Sequence, residues 1–321
     1  MSTTILLTDY AWPDDQIERA IVESAGFRLV SGPAAPSSAE HVEALVKEYR
    51  PSAILTCWAQ VSAAAITSTD GLRIVARLGV GLDNIDVASA TEHGVWVTNV
   101  PDYCVEEVAD HAVGFALAWC RGIVSLDRDV RNRRWDPSSA KLRRISTLTC
   151  GIVGFGRIGR ATARRLKAFG CSILANTPYP PGDCPDVRFV DLDLLMAHSD
   201  IVIVHAPLTD ETYHLINGAR LALMRRGGLL INVSRGAVVD TDAVIDALDS
   251  GHLSAAALDV LETEPDVPAA LLEQQGAILT PHVAFSSDAS LEELRRRATE
   301  EAVRVLNGSI PHNACNRPIV R

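Results

Sequence analysis

The chain has 321 residues, 47% hydrophobic and 22% charged, which suits an ordinary globular protein with core enough for two domains. Thirty Lys and Arg against forty Asp and Glu give a formal net charge of −10, which argues against nucleic acid or an anionic membrane as the main partner. The longest apolar runs, such as 201–204 and 229–231, are far too short to span a bilayer. The N-terminus turns acidic at once and lacks a basic region, so no secretory signal and a cytoplasmic location are expected.

In chain order, the patterning predicts a strand over 4–7, a helix over 15–25 closed by Gly26, and a strand over 27–30. A helix over 38–49 ended by Pro51 and strands over 53–57, 74–76 and 95–99 complete the first part. The second part repeats the rhythm with strands over 150–153, 172–175, 201–205, 229–233 and 256–259. Strands apolar on both faces and separated by helices imply parallel α/β sheets, one in each domain. A final helix over 290–307 is expected, capped by Ser290 with Glu293 and stopped at Gly308. The short stretch after Gly308 is expected to hold no appended domain.

Seven cysteines (Cys57, Cys104, Cys120, Cys150, Cys171, Cys184 and Cys315) are odd in number and widely spaced. No CxxC pair or zinc spacing occurs, so reduced, buried thiols and no metal are expected. An aromatic content of 5% leaves little for base stacking.

The segment TCGIVGFGRIGR places Gly154-x-Gly156-x-x-Gly159 directly after a strand and at the start of a helix over 160–169. Gly154 allows a tight turn, Gly156 lets backbone approach a pyrophosphate, and Gly159 permits close packing of helix on strand. The helix N-terminus adds orphan N–H groups and partial positive charge, and Arg157 and Ile158 lie inside the loop before it. The next strand ends at Asn176-Thr177, where a carboxylate would hold the ribose and repel a 2′-phosphate. Neither an acid nor a nearby base stands there. Thr177 can bond a ribose, so NAD is favoured and NADP is not excluded.

Three later segments each end a strand with a polar residue, where ligands gather in open α/β sheets. LLINVSRGAVVD presents Arg235, AALDVLETEP presents Asp259 and Glu264, and LTPHVAFSS presents His282 on a short extended segment. These segments, together with RLGVGLDNID (77–86), NVPDYCVEEVADH (99–111), the glycine loop and HAPLTDET (205–212), resemble the D-isomer-specific 2-hydroxyacid dehydrogenase family. The likeness runs from about residue 55 to the terminal helix. PDYCVEEVADH and HVAFSS are most similar to the bacterial branch related to the co-repressor dehydrogenases called C-terminal binding proteins.

The resemblance implies that Arg235 binds the substrate carboxylate and polarises the 2-oxo oxygen, that His282 transfers the proton, and that Glu264 orients and charges His282. It places Gly154, Gly156, Arg157, Ile158, Gly159, Thr177, Ala206, Pro207, Thr212, Val233, Ser234 and Asp259 at the cofactor, with Asp259 reaching the nicotinamide carboxamide. Gly79, Val80 and Gly81 would offer backbone N–H groups to the carboxylate. Trp58 and Tyr103 would line the pocket, although Trp58 suits interdomain packing equally well. The implied fold is α/β with two doubly wound parallel-sheet domains. A Rossmann cofactor domain (100–285) is inserted into a flavodoxin-like substrate domain (1–99 plus 286–321), and the two close on the ligands by a hinge motion.

The expected activity is NAD(P)-dependent interconversion of a small anionic D-2-hydroxy acid and its 2-oxo acid. The alternative is an NADH-sensing, co-repressor-like binding protein. Glyoxylate, hydroxypyruvate, 3-phosphoglycerate and phosphonate analogues stay open as substrates, with Arg77 and the 131–134 run as candidate phosphate donors. A homodimer is implied, with 108–120 either in its contact or a plain core helix.

Overall fold

A computed structural model describes residues 3–35, 38–182 and 184–319. They form two compact units, Met1–Tyr103 with Ser287–Arg321, and Cys104–Ser286.

The first unit begins with β1 (Thr4–Leu7), α1 (Gln16–Ser24), β2 (Arg28–Ser31), α2 (Ala39–Tyr49) and β3 (Ala53–Thr56). It continues through α3 (Ala63–Thr67), β4 (Ile74–Arg77), α4 (Val87–Glu92) and β5 (Trp96–Thr98). The strands pair in parallel in the order β2-β1-β3-β4-β5, the flavodoxin-like arrangement. Every residue of β3 and β4 is buried because helices cover both faces, which is why these strands read as unbroken apolar runs. One face packs Leu6, Ile54, Val75 and Val97 against Val42 and Val46 of α2 and Ala65 and Ile66 of α3. The helices start where hydroxyl and carboxylate side chains accept their first N–H groups: Ser38 from His41, Ser62 from Ala65, and Asp86 from Ser89.

The second unit opens with α5 (Val105–Cys120) and α6 (Ile123–Arg131), then β6 (Thr149–Val153), α7 (Arg157–Ala168), β7 (Ser172–Asn176), β8 (Val187–Phe189) and α8 (Leu192–His198). It closes with β9 (Ile201–Val204), α9 (Gly218–Leu223), β10 (Gly228–Asn232), α10 (Thr241–Asp249), β11 (Leu253–Leu258), α11 (Ala269–Leu272) and β12 (Ala277–Leu279). The seven parallel strands run β12-β11-β10-β9-β6-β7-β8. This is the Rossmann order with one added strand, and the direction of winding reverses between β6 and β9. The chain then returns to the first unit as α12 (Asp288–Leu306), which packs on α1, β3 and β4. There Arg295 grips the fully buried Glu18 through two hydrogen bonds of 2.9 and 2.7 Å, so the charge lost from water on each side is met by the other.

Three sequence expectations shift. The helix expected from residue 160 begins at Arg157, inside the glycine loop. The helix expected from Ser290 begins at Asp288, with Ser287 as N-cap; Ser290 is the reciprocal partner in that capping box. His282 is not extended: its φ is 51°. β8 was not expected, whereas β12 is the strand that LTPHVAFSS ends; both are short edge strands. Cys57, Cys104, Cys120, Cys150 and Cys171 are buried, whereas Cys184 is half-buried and Cys315 is exposed. Among the described residues, no helix is long and apolar enough to cross a membrane, and no cluster of His, Cys, Asp and Glu could hold a metal ion.

Candidate active site

The glycine turn leaves β6 at the point where the sheet reverses its winding. Gly154 has φ 93°, and a Cβ there would lie 2.7 Å from the Ala206 nitrogen and the His205 carbonyl carbon. Only glycine lets β6 and the end of β9 approach so closely. A Cβ on Gly159 would lie 2.2 Å from the Gly154 carbonyl oxygen, so that glycine seats α7 against the turn. Gly156 differs: a Cβ there would meet nothing within 4 Å. It is also the N-cap of α7, with no side-chain cap and no acid in the first turn. The helix's first N–H groups and the positive end of its dipole are therefore available at an open position, which fits a dinucleotide pyrophosphate. Arg157 is exposed and Ile158 half-buried in that turn.

Around the turn, Asn176 donates to the Val190 carbonyl at 3.0 Å, which leaves half-buried Thr177 as the polar group at the end of β7. Ala206 is buried and Pro207 exposed beside the glycine turn. The Thr212 hydroxyl donates to the Pro207 carbonyl at 2.6 Å and accepts the Thr209 amide at 2.7 Å, so it staples this loop.

The ends of β10, β11 and β12 carry the remaining second-unit candidates. After β10, buried Val233 leads to Ser234 and Arg235. The buried Asn232 side chain holds this turn: its oxygen accepts the Ser234 amide and hydroxyl, and its nitrogen donates to the Arg235 carbonyl at 2.9 Å. Arg235 itself donates to the Ser234 carbonyl at 2.8 Å. After β11, Glu264 Oε2 accepts from Nδ1 of His282, which follows β12, at 2.7 Å, and Glu264 Oε1 accepts the Leu261 amide at 2.9 Å. Burial alone would raise the Glu264 carboxyl. The His282 hydrogen bond and charge, the Leu261 amide and the Arg235 charge outweigh it and hold the group below its usual value. Glu264 is thus an anion aimed at one imidazole nitrogen, with a guanidinium near enough to be felt.

Asp259 is buried, and both its oxygens are engaged. Oδ1 accepts the Thr280 hydroxyl and the Val283 amide, Oδ2 accepts the Ala284 amide, and the Asp259 carbonyl accepts the His282 amide at 2.8 Å. The left-handed backbone of His282 is sustained by this lattice. His111, from α5, lies 3.1 Å from the same Thr280 hydroxyl. Sequence reasoning missed Asn232, Thr280 and His111. Asn232 stood inside a quoted motif, but nothing in spacing marks a side chain that bonds only its own turn.

In the first unit, the candidate substrate loops follow β3 and β4. The Asp9 carboxylate, fully buried after β1, accepts the amides of Cys57, Trp58 and Ala59 at 3.0, 2.7 and 3.1 Å. Asn84 donates to the Ala59 carbonyl at 2.9 Å and accepts from Arg77 Nε at 3.1 Å. The Arg77 guanidinium also donates to the Leu78 carbonyl and lies where a Cβ on Gly79 would fall, 2.6 Å from Nη1. One buried polar network thus brings the half-buried Trp58 and the Gly79–Val80–Gly81 turn together. The Gly79 and Val80 carbonyls accept from Val100 and Asn99, which leaves the loop's amides as its donors. Tyr103 is buried at the end of this unit.

A sequence profile described as D-isomer specific 2-hydroxyacid dehydrogenase, NAD binding domain, matches residues 113–284. A glyoxylate reductase of Thermofilum pendens is 37% identical over 290 residues, 87% of this chain and 86% of that protein. The D-lactate dehydrogenase of Aquifex aeolicus, solved with NAD and lactic acid, superposes with a TM-score of 0.88 at 27% identity, covering 98% of this chain and 100% of that one. An NADPH-dependent glyoxylate/hydroxypyruvate reductase of Sinorhizobium meliloti, solved with NADP and malonate, gives 0.85 at 32% identity, covering 100% and 99%.

Proposed function

The chain belongs to the D-isomer-specific 2-hydroxyacid dehydrogenase family as an NAD-dependent enzyme, and from that premise we propose that it reduces a small 2-oxo acid to the D-2-hydroxy acid with Arg235, Glu264 and His282. The observation that carries this reading is the 2.7 Å bond between His282 and the anionic Glu264, with Arg235 beside them.

Bound NADH supplies the hydride that adds to C2 of the substrate. As the carbonyl π bond breaks, His282 gives its Nε2 proton to the oxygen, and a C–H and an O–H bond form. Glu264, held ionised on Nδ1, fixes the ring and stabilises the imidazolium that donates. Arg235 presents a rigid fork to the substrate carboxylate and draws charge from the 2-oxo oxygen, a task a lysine point charge performs less well. The amides of Gly79, Val80 and Gly81 supply further donors to the carboxylate, with Trp58 and Tyr103 limiting the size of the C3 substituent. At the cofactor, Gly156, Arg157, Ile158 and the α7 N-terminus take the pyrophosphate and Thr177 the ribose. Pro207, Val233, Ser234 and Asp259 lie along the nicotinamide side.

Glyoxylate or hydroxypyruvate suits these groups better than a phosphorylated acid. Arg77 is buried and committed to Asn84 and Leu78, while Arg131 and Arg134 pair with Asp127 and Asp129. NAD is favoured over NADP because Thr177 is followed by no nearby base until Arg188. We further propose a cytoplasmic homodimer. Support for it comes from α6, which buries no residue, and from exposed Ile123, Val130, Trp135 and Leu142 on a stretch rich in arginine within an acidic chain.

A panel of 2-oxo acids with NADH and with NADPH, followed by chiral analysis of the product, tests the assignment. Turnover of a small unphosphorylated acid to the D product, faster with NADH, is expected. Tight NADH binding with no turnover of any acid would contradict it and point to a nucleotide sensor.

A further inference from the structure

A second histidine–glutamate pair meets the Glu264 loop at Glu262, two residues from Glu264. His214 Nε2 donates to Glu262 Oε2 at 2.7 Å, and Glu262 Oε1 accepts the Thr241 amide, at the start of α10, at 2.8 Å. Burial raises the Glu262 carboxyl, but the His214 and Thr241 bonds hold it below its usual value.

Three loops cross at this carboxylate. The 205–216 loop carries Ala206, Pro207 and Thr212, and it runs beside the next one: the His214 amide donates to the Ala237 carbonyl at 2.8 Å and the Ile216 amide to Val238 at 3.0 Å. The 233–241 loop carries Arg235, and its Gly236 lies so close to the third loop that a Cβ there would fall 2.0 Å from the Leu261 carbonyl carbon. The third loop carries Leu261, whose amide holds Glu264, and Glu264 itself. His214 is set for its bond by a left-handed backbone, φ 47°, and by Tyr213 stacked on its ring at 4.1 Å.

We infer that the His214–Glu262 pair is a positioning element of the dehydrogenase site, tying the Glu264 loop in register with the loops that carry Arg235 and the cofactor residues. The inference rests on the proposed role of Glu264. The Glu262 carboxylate bonds His214 and the Thr241 amide and so fixes the backbone from which Glu264 reaches the imidazole. Displacing such a supporting group costs activity because the catalytic hydrogen bond tolerates little error in geometry.

A double-mutant cycle of Glu262→Gln and Glu264→Gln, read as kcat/KM for a 2-oxo acid and KM for NADH, tests it. Glu262→Gln keeps the side-chain shape and removes the charge. It is expected to lower kcat/KM about tenfold in the wild-type background and less than about twofold in the Glu264→Gln background, with KM for NADH within about twofold. Glu262→Asp, which keeps the charge but draws back from His214, is expected to fall between. An equal loss in both backgrounds, or a lowered melting temperature with unchanged kcat/KM, overturns the inference and leaves the catalytic assignment standing. No effect of Glu264→Gln alone overturns both.

Discussion

His205 ends the β9 run with its Nε2 3.0 Å from the Thr162 hydroxyl, and burial pushes its imidazole down to about 3. The unfolded chain takes up that proton near 6.5. Between those values the unfolded state binds more protons than the folded one, so this residue makes stability fall as pH falls. Urea unfolding of wild type and His205→Asn from pH 7 to 4.5 checks the sign: the wild type is expected to lose stability more steeply. A steeper loss in the variant contradicts it. Glu264 acts at lower pH. Its depressed carboxyl contributes stability that is present above about 4.5 and lost as pH falls through the lower folded value, so Glu264→Gln is expected to flatten only the acid end. At Arg235 the fork matters more than the charge. Arg235→Lys is expected to raise KM for the 2-oxo acid at least about tenfold in steady-state kinetics while KM for NADH changes little.

Among elements, the strand–turn–helix unit from β6 to α7 separates two uses of glycine. Gly159→Ala forces a Cβ into the Gly154 carbonyl and is expected to lower both melting temperature and NADH affinity. Gly156→Ala meets no protein atom, so it is expected to leave the melting temperature nearly unchanged and weaken NADH about tenfold or more, by calorimetry. Equal losses at the two sites would remove the pyrophosphate from Gly156. The same unit shows what a sequence discloses. Strands such as β3, β4 and β9 are buried on both faces and therefore read as continuous apolar runs. β8, three residues at a sheet edge and only partly buried, carries no such run and escapes notice. The Ser290–Glu293 spacing mimics a capping box, yet Ser287 and Ser290 form the actual one a turn earlier, because two hydroxyls at the right separation satisfy the same amides. At the site, Arg235, Glu264 and His282 are legible from motifs that end strands. Asp9, Asn232, His214 and Glu262 are not. Their partners are backbone amides or side chains on other loops, and linear spacing says nothing of those.

The net charge of −10 does not describe the molecule locally. Anionic ligands are proposed to meet Arg235, His282, the α7 N-terminus and the amides of Gly79, Val80 and Gly81. The 121–144 stretch is basic and presents Trp135 with 83% of its surface exposed. Sedimentation equilibrium is expected to give twice the 34.5 kDa chain mass for the wild type and a shift toward the monomer for Trp135→Asp. A wild type that sediments as a monomer rules out the dimer. The central claim, proton transfer by a glutamate-oriented histidine to a 2-oxo acid, is tested most directly by single-turnover oxidation of enzyme-bound NADH in wild type and His282→Gln. The account predicts a rate about 10²–10⁴-fold lower in the variant, with the NADH dissociation constant within about twofold. A variant that oxidises NADH within about tenfold of the wild-type rate contradicts it.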